Sequence, residues 1–316
     1  QHRFPWGSRQ TLAWGLGYRA VWNQVDKTPV VLASPAHDTT GLYSAFVQDE
    51  IELVHDRLRL TLGTKFEHND FTGLEFQPSA RVLWTFSPRR SAWASVSRAV
   101  RTPTVQENNS AIKPGPITTF GSQGFDSEIV VAYELGYRLQ PTRRLTLDAA
   151  TFFNQYDQLA SSEVVTALTR RRDNNLKGET HGAELGAAWQ AAEWFTLHAA
   201  YTYLRVDLRA TPGSTDTTSA LAERNDPQQQ LSLRGSLNLP RRVQLDASVR
   251  RVASLPNLGV PVKDAQAIAT LLETQAGIPK THIKLLTDGK ATLSGLRNHL
   301  GEWLRMRVKP ESVVYV

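Results

Sequence analysis

Residues 127–252 contain SEIVVAYELGYRL (127–139), RRLTLDAATFFNQYDQL (143–159), GETHGAELGAAW (178–189), EWFTLHAAYTYLRVD (193–207), QQQLSLRGSLNLP (228–240) and RRVQLDASVRRV (241–252). Apolar and polar residues take turns along most of these segments. Val243, Leu245, Ala247 and Val249 alternate with Gln244, Asp246, Ser248 and Arg250. Leu231, Leu233, Gly235, Leu237 and Leu239 likewise alternate with Ser232, Arg234, Ser236 and Asn238. Successive side chains of a strand point to opposite faces, so a period of two means a strand with one apolar and one polar face. Repeated over long segments joined by turns, the pattern predicts a membrane β-barrel with lipid outside and water inside.

The same alternation extends toward the N-terminus. Strands are expected through Trp14–Ala20, Gly41–Val54, Arg57–Asn69, Ala80–Phe86 and Ser91–Val100, giving about eleven long strands in all. At about 11 to 15 residues they suit a tilted bilayer crossing better than the shorter strands of soluble sheets. Short connections near residues 55, 88, 141, 191 and 240 alternate with longer polar ones, the asymmetry of outer-membrane barrels. Trp84, Phe86, Trp93, Trp189 and Trp194 sit beside the short turns and are expected to form an aromatic girdle at the membrane surface. The competing reading, a soluble β-rich binding protein or a smaller closed barrel, would bury Leu231, Leu233, Val243 and Leu245 under a second layer or pair the first strand with the last.

Composition narrows the function. The 316 residues include no Cys, which excludes disulfides, thiolate metal sites and a cysteine nucleophile. With 41% apolar residues and a mean hydropathy of -0.35 there is no run long enough for a transmembrane helix, a criterion blind to barrels. The net charge of +6 is spread through strands and turns, which argues against a nucleic-acid partner. His37, His55, His68, His181, His198, His282 and His299 lack metal-ligand spacing, and no metal or other cofactor is expected. No catalytic motif is present, neither a Gly-x-Ser-x-Gly elbow nor a phosphate-cradling glycine loop. Gln1–Trp6 has no signal-peptide pattern, so a barrel reading expects an export signal outside these residues.

Several strings resemble the C-terminal half of the TonB-dependent receptor barrel. They are Ser97-Arg98-Ala99-Val100-Arg101-Thr102-Pro103-Thr104, Tyr133-Glu134-Leu135-Gly136-Tyr137, Gly182-Ala183-Glu184-Leu185, Asp226-Pro227-Gln228-Gln229-Gln230-Leu231, and Leu255-Pro256-Asn257. The resemblance covers about residues 5–260. It implies an outer-membrane receptor and transporter that imports a small nutrient such as an iron chelate or cobalamin, in contact with outer-membrane lipid. It implies the TonB system as a partner only through a plug with a TonB box, which these residues do not contain. About eleven strands make half such a barrel. Without closure, the unpaired N–H and C=O groups at each edge cost several kcal/mol apiece in lipid. The chain alone is therefore not expected to work as a transporter, and a chimeric, non-functional product is the alternative.

After Pro256 the pattern changes. Ala265, Ile268, Leu271, Leu272 and Ala276 have helical spacing, and Leu293, Leu296, Leu300 and Leu304 share a second helical face, with strands expected at 282–286 and 312–316. Val262-Lys263-Asp264-Ala265, Ile283-Lys284-Leu285-Leu286-Thr287-Asp288 and Ser312-Val313-Val314-Tyr315-Val316 resemble part of a caspase-like peptidase. The expected division is a partial barrel over 1–258 and a partial α/β segment over 259–316. That segment ends before the family's catalytic His, and without a Cys no peptidase activity carries over, so the likeness implies, as an alternative to the receptor reading, a caspase-like peptidase-related or pseudo-protease fusion.

Candidate ligand contacts follow from position. Loop residues between Arg101 and Asp126 (Arg101, Asn108, Asn109) and between Ser161 and Lys177 (Arg170, Arg171, Arg172) would meet a ligand first. Arg234 and Arg250, on polar strand faces, would line a lumen. Each has a plainer reading as a hydrated or ion-paired side chain.

Overall fold

The computed structural model describes residues 1–253 apart from 26–27, 34–36, 114 and 240–242, together with residue 273. The expected caspase-like segment at 259–316 lies outside the described residues, as does the domain boundary drawn at 258. A first unit runs from Gln1 to Leu255.

Within that unit nearly everything is strand. In chain order the strands are β1 His2–Trp6, β2 Gln10–Gln24, β3 Val31–Ala33, β4 His37–Val54, β5 Leu58–Asn69, β6 Gly73–Ser87, β7 Arg90–Arg101, β8 Ser110–Ile112, β9 Thr118–Phe120, β10 Glu128–Thr142, β11 Leu145–Thr166, β12 Thr169–Ala192, β13 Phe195–Ala210, β14 Gln229–Leu239 and β15 Val243–Ala253. Among the described residues of this unit the one α-helix, α1, spans Val105–Asn109, and a 3-10 helix spans Ser219–Asn225. The sheet follows the order β1-β2-β4-β5-β6-β7-β10-β11-β12-β13-β14-β15, with each neighbouring pair antiparallel. Among the described residues β1 and β15 are its two open edges. The eleven long strands expected from the alternation are all present. The additional β1 was missed because five residues are too few to display a period.

The register carries the two-sided pattern across the whole sheet. Directly opposed residues share a face, and the row Leu60, Val82, Ala94, Leu135, Thr151, Ala183, Tyr203 crosses seven strands. Another row joins Trp84, Ala92, Tyr137, Ala149, Leu185, Tyr201 and Leu231. One residue along, the other face carries Glu134, Arg138, Asp148, Glu184, Arg234 and Asp246. Its ion pairs include Arg138–Asp148 at 2.5 Å, Arg59–Glu50 at 3.2 Å and Arg234–Asp246 at 3.4 Å.

Among the described residues no second layer covers the apolar face. The only buried large apolar side chains among the described residues are Phe125 and Leu176, whereas Leu231, Leu233, Leu245 and Val249 are 42%, 42%, 54% and 58% exposed. A soluble sandwich of this size would bury its strand leucines. An apolar face left open to the surroundings suits hydrocarbon.

Aromatic placement follows the same parity. Trp84, Phe86, Trp189 and Trp194 are exposed beside the short turns, but Trp93 does not join them. It falls one residue out of phase with Ala92 and Ala94 and lies on the polar face. There it covers its cross-strand partner Gly136, where a Cβ would sit 2.0 Å from the Trp93 ring, and its indole N–H donates to Glu134 at 2.5 Å. Phe152 covers its partner Gly182 in the same way. An aromatic ring over a strand glycine recovers contact area that the missing side chain leaves open.

One polar residue breaks the apolar rows. Asp49 opposes Leu12 and Leu62 on the lipid-facing side, and its Oδ1, like the hydroxyl of nearby Thr64, is buried without a hydrogen-bond partner among the described residues.

The connections β1–β2, β4–β5, β6–β7, β10–β11, β12–β13 and β14–β15, each of two or three residues, fall at one end of the sheet, while the short β5–β6 turn at residues 70–72 lies at the opposite end. The β7–β10, β11–β12 and β13–β14 connections fall at the other. The latter is the outer end by the barrel asymmetry.

Candidate functional site

At the outer end the hairpin β11–β12 outgrows the sheet. β11 has 22 residues and β12 has 24, against 15 in β10. Bilayer crossing needs only about 9 to 11 residues, so the hairpin beyond about residue 158 stands clear of the membrane. Its departure is marked by register shifts after Tyr156 and Leu159 and by Gln158 at φ 56°.

Two connections are tied to this hairpin. The first is the β7–β10 segment. Its helix α1 carries a capping box, in which the Thr104 hydroxyl accepts from the Glu107 N–H at 3.3 Å and the Glu107 carboxylate accepts from the Thr104 N–H at 3.0 Å. Arg101 closes the base, donating to Glu107 at 2.8 and 3.0 Å and to its cross-strand partner Glu128 at 2.6 Å. Burial raises the Glu107 carboxyl pKa, but the Arg101 guanidinium and the Thr104 donors outweigh it and hold it below the usual range. Further along, β9 pairs parallel with β12 through Thr118–Thr169, Thr119–Arg170 and Phe120–Arg171. Asn174 completes the tie: its carbonyl accepts from the Asp126 N–H at 2.7 Å, and its amide donates to the Asp126 and Gln158 carbonyls at 3.0 and 2.7 Å.

The second is the β13–β14 connection, read from sequence only as a Ser/Thr-rich loop. Its hydroxyls and N–H groups saturate two carboxylates. Glu163, 8% exposed, accepts from Ser161 and Ser214 at 2.8 Å each, and from the Thr215 N–H and hydroxyl at 2.6 and 2.8 Å. Burial pushes this carboxyl up, but the four donors together bring it down to about 2. Asp216 accepts from the Ser162 N–H at 2.6 Å, the Thr218 N–H at 2.9 Å and the Ser219 N–H at 3.0 Å, as well as from the Ser219 hydroxyl. Its pKa too lies well below the ordinary aspartate value: burial opposes this, and the Ser219, Thr218 and Ser162 donors prevail.

Between α1, β8, β9 and β12 lies a cavity of about 130 Å³ lined by Thr104, Gln106, Glu107, Ile112, Thr119, Gly121 and Arg172. Arg172 is half-buried, and its guanidinium makes no ion pair or hydrogen bond among the described residues. It is a cation facing a cavity whose other charged group, Glu107, is already engaged by Arg101.

The expected contact residues divide accordingly. Arg101 bonds Glu107, and Glu107 and Arg172 line the same outer cavity, while Asn108 is buried and Asn109 half-buried in α1. Arg170, Arg171 and Arg172, expected in a loop, belong to strand β12, because the turn of the hairpin is confined to residues 167–168. Arg170 donates to the Ser162 carbonyl at 3.5 Å, and Arg171 pairs with Asp173 at 3.3 Å. Arg234 pairs with Asp246 and Arg250 donates to Gln230, both on the polar face. Strands β10 to β13 separate these two from Arg101. Glu107, Glu163, Asn174 and Asp216 were not singled out, since isolated acids and amides in polar segments carry no spacing signal. Among the described residues the one carboxylate–His grouping, Glu52, His55 and Asp56, is an exposed turn at the opposite end.

A wall of long antiparallel strands, apolar outside, ion-paired inside, with short turns at one end and interlocked loops at the other, defines an outer-membrane β-barrel. The particular family is settled by comparison. The model for the β-barrel of TonB-dependent receptor-like proteins matches residues 1–255, and the chain belongs to that family. The barrel is an outer-membrane one. An iron-regulated outer membrane virulence protein of Vibrio cholerae is 24% identical over 196 residues, 56% of this chain and 29% of that protein. A variant of the ferric enterobactin receptor PfeA of Pseudomonas aeruginosa superposes with a TM-score of 0.62 at 18% identity, over 79% of this chain and 40% of the receptor. The FrpB iron transporter of Neisseria meningitidis gives 0.62 at 14% identity, over 79% and 41%. The chain thus spans less than half the length of these relatives.

Proposed function

We propose that the chain is part of the wall and outer vestibule of a receptor that captures a small nutrient, an anionic iron chelate above cobalamin. The observation that carries this is the unpaired Arg172 guanidinium over the outer cavity, held by loops that interlock rather than splay. A fixed cation with few bound competitors favours an anionic ligand. The iron-related names of the relatives agree with that choice. Passage inward would follow the polar face, with energy from the TonB system through a plug outside these residues. Ligand release into the lumen would place Arg234 and Arg250 downstream of capture rather than in it. No enzymatic step belongs to this reading, and the caspase-like likeness of 259–316 adds none.

The test is a titration of the detergent-refolded chain with ferric catecholate and ferric hydroxamate chelates, followed by tryptophan quenching. Arg172→Ala should weaken the anionic chelate about tenfold, roughly the 1.4 kcal/mol of one charge-assisted contact. Equal binding by the variant, or no preference for the anionic chelate, would overturn the proposal.

A further inference from the structure

The inner end of the sheet repeats one local arrangement. In four consecutive hairpins the last turn residue before the second strand is an arginine: Arg9 before β2, Arg57 before β5, Arg89 before β7 and Arg144 before β11. The carbonyl of each accepts an N–H from the next hairpin. Glu52 donates to Arg9 and Thr85 to Arg57 at 2.7 Å, and Gln140 to Arg89 and Gln190 to Arg144 at 2.8 Å. The latch is backbone only, and Trp194 makes it just as well with the Asn238 N–H at 2.8 Å. It therefore gives no reason for arginine, and the recurrence asks for a role of the side chain. All four are exposed, and none makes an ion pair among the described residues.

Spacing and company narrow that role. Neighbouring hairpins lie two strands apart, so at about 4.8 Å per strand and a tilt near 40° the cations recur roughly every 12 Å along the rim. Arg90 and Arg143 add charge at the same level, against Glu52, Asp56 and Glu193. Behind the row, on the polar face, a cavity of about 360 Å³ is lined by Arg89, Arg90 and Arg138 together with Thr85, Ser91 and Gln140. Asp148 already engages Arg138, which leaves Arg89 and Arg90 as its unpaired cations among the described residues. A single small anion would draw cations to one point. A folded protein would meet an apolar or aromatic centre, which Gly7–Arg9, His55–Arg57, Pro88–Arg89 and Arg143–Arg144 do not offer. Evenly spaced cations on a line fit a polymer whose own negative charges repeat.

The inner end faces the periplasm by the barrel asymmetry. We propose that this rim is a docking surface for the carboxylate-bearing glycan of the cell wall. Arg9, Arg57, Arg89 and Arg144 each meet a carboxylate of a peptide stem, which a guanidinium holds with two parallel N–H bonds. The cavity seats one stem end against Arg89 and Arg90, with the hydroxyls of Thr85 and Ser91 beside it. Each contact is weak because it is exposed, and attachment comes from several made at once. The surface lies at the opposite end from the nutrient vestibule and is independent of its ligand.

The experiment co-sediments the refolded chain, in nonionic micelles, with purified insoluble cell-wall sacculi. Arg9→Gln/Arg57→Gln/Arg89→Gln/Arg144→Gln should weaken retention tenfold or more, while Arg205→Gln, exposed toward the outer end, leaves it unchanged. Should the quadruple variant lose its strand signal in circular dichroism, Arg57→Gln/Arg89→Gln carries the test, with at least threefold weakening expected. Sacculi whose carboxylates have been amidated should hold the wild-type chain no better than native sacculi hold the quadruple variant. Wild-type retention in the variants, or equal retention on amidated sacculi, overturns the proposal. So does full release by phosphatidylglycerol mixed into the micelles, which assigns the arginines to lipid headgroups instead.

Discussion

Replacing Glu163 by Gln tests whether the outer loops form one body. The carboxylate accepts four hydrogen bonds and its pKa falls from 4.5 to about 2. At 1.36 kcal/mol per unit, the charged form is favoured in the folded loops by about 3 kcal/mol. Glutamine keeps one acceptor but turns an amide toward the Thr215 N–H, so most of that is lost. The sheet does not depend on this contact, and the expected result is local opening rather than unfolding. Amide exchange at pH 7 in detergent should show Thr215 and Val164 losing about a hundredfold in protection, with Leu135 and Leu185 unchanged. The depressed pKa also sets a pH dependence. The stabilisation is complete above the unfolded value near 4.5 and disappears as pH falls toward about 2, so wild-type protection should decay across that window. Unchanged exchange at Thr215 in the variant, or a wild-type loss centred above pH 5, would refute the reasoning.

Other perturbations probe the wall itself. Gly136→Val drives a Cβ into the Trp93 ring, so it should cost about 1–3 kcal/mol and shift tryptophan emission as the Trp93–Glu134 bond breaks. Face assignment predicts that Leu233→Arg destabilises the membrane-inserted chain by about 2–4 kcal/mol while neighbouring Ser232→Arg has little effect, read by urea titration in lipid vesicles. By the same logic Asp49→Leu should raise stability, by about 1–2 kcal/mol, because it removes an unpartnered carboxylate oxygen from the lipid-facing row.

Alternation is a property of neighbours along one strand, and from it the sequence alone determined the two faces, the long strands and the end that carries the short turns. Each could be read locally because a strand's side-chain parity is set by its own backbone. Even the error over Trp93 was recoverable from sequence, by counting from Ala92 rather than from the turn. What meets at the outer end was a different matter. That Asn174 would bond Asp126, that Ser214 and Thr215 would saturate Glu163 as Thr218 and Ser219 do Asp216, and that β9 would run parallel to β12 depends on registers accumulated across several strands and on hairpin length. The arginines show the division most plainly. Arg101, Arg172, Arg234 and Arg250 are alike on paper, and only the fold leaves the Arg172 guanidinium without a carboxylate or carbonyl partner among the described residues while giving the other three theirs. A side chain's direction follows from its own residue number, but its company follows from where the rest of the chain returns.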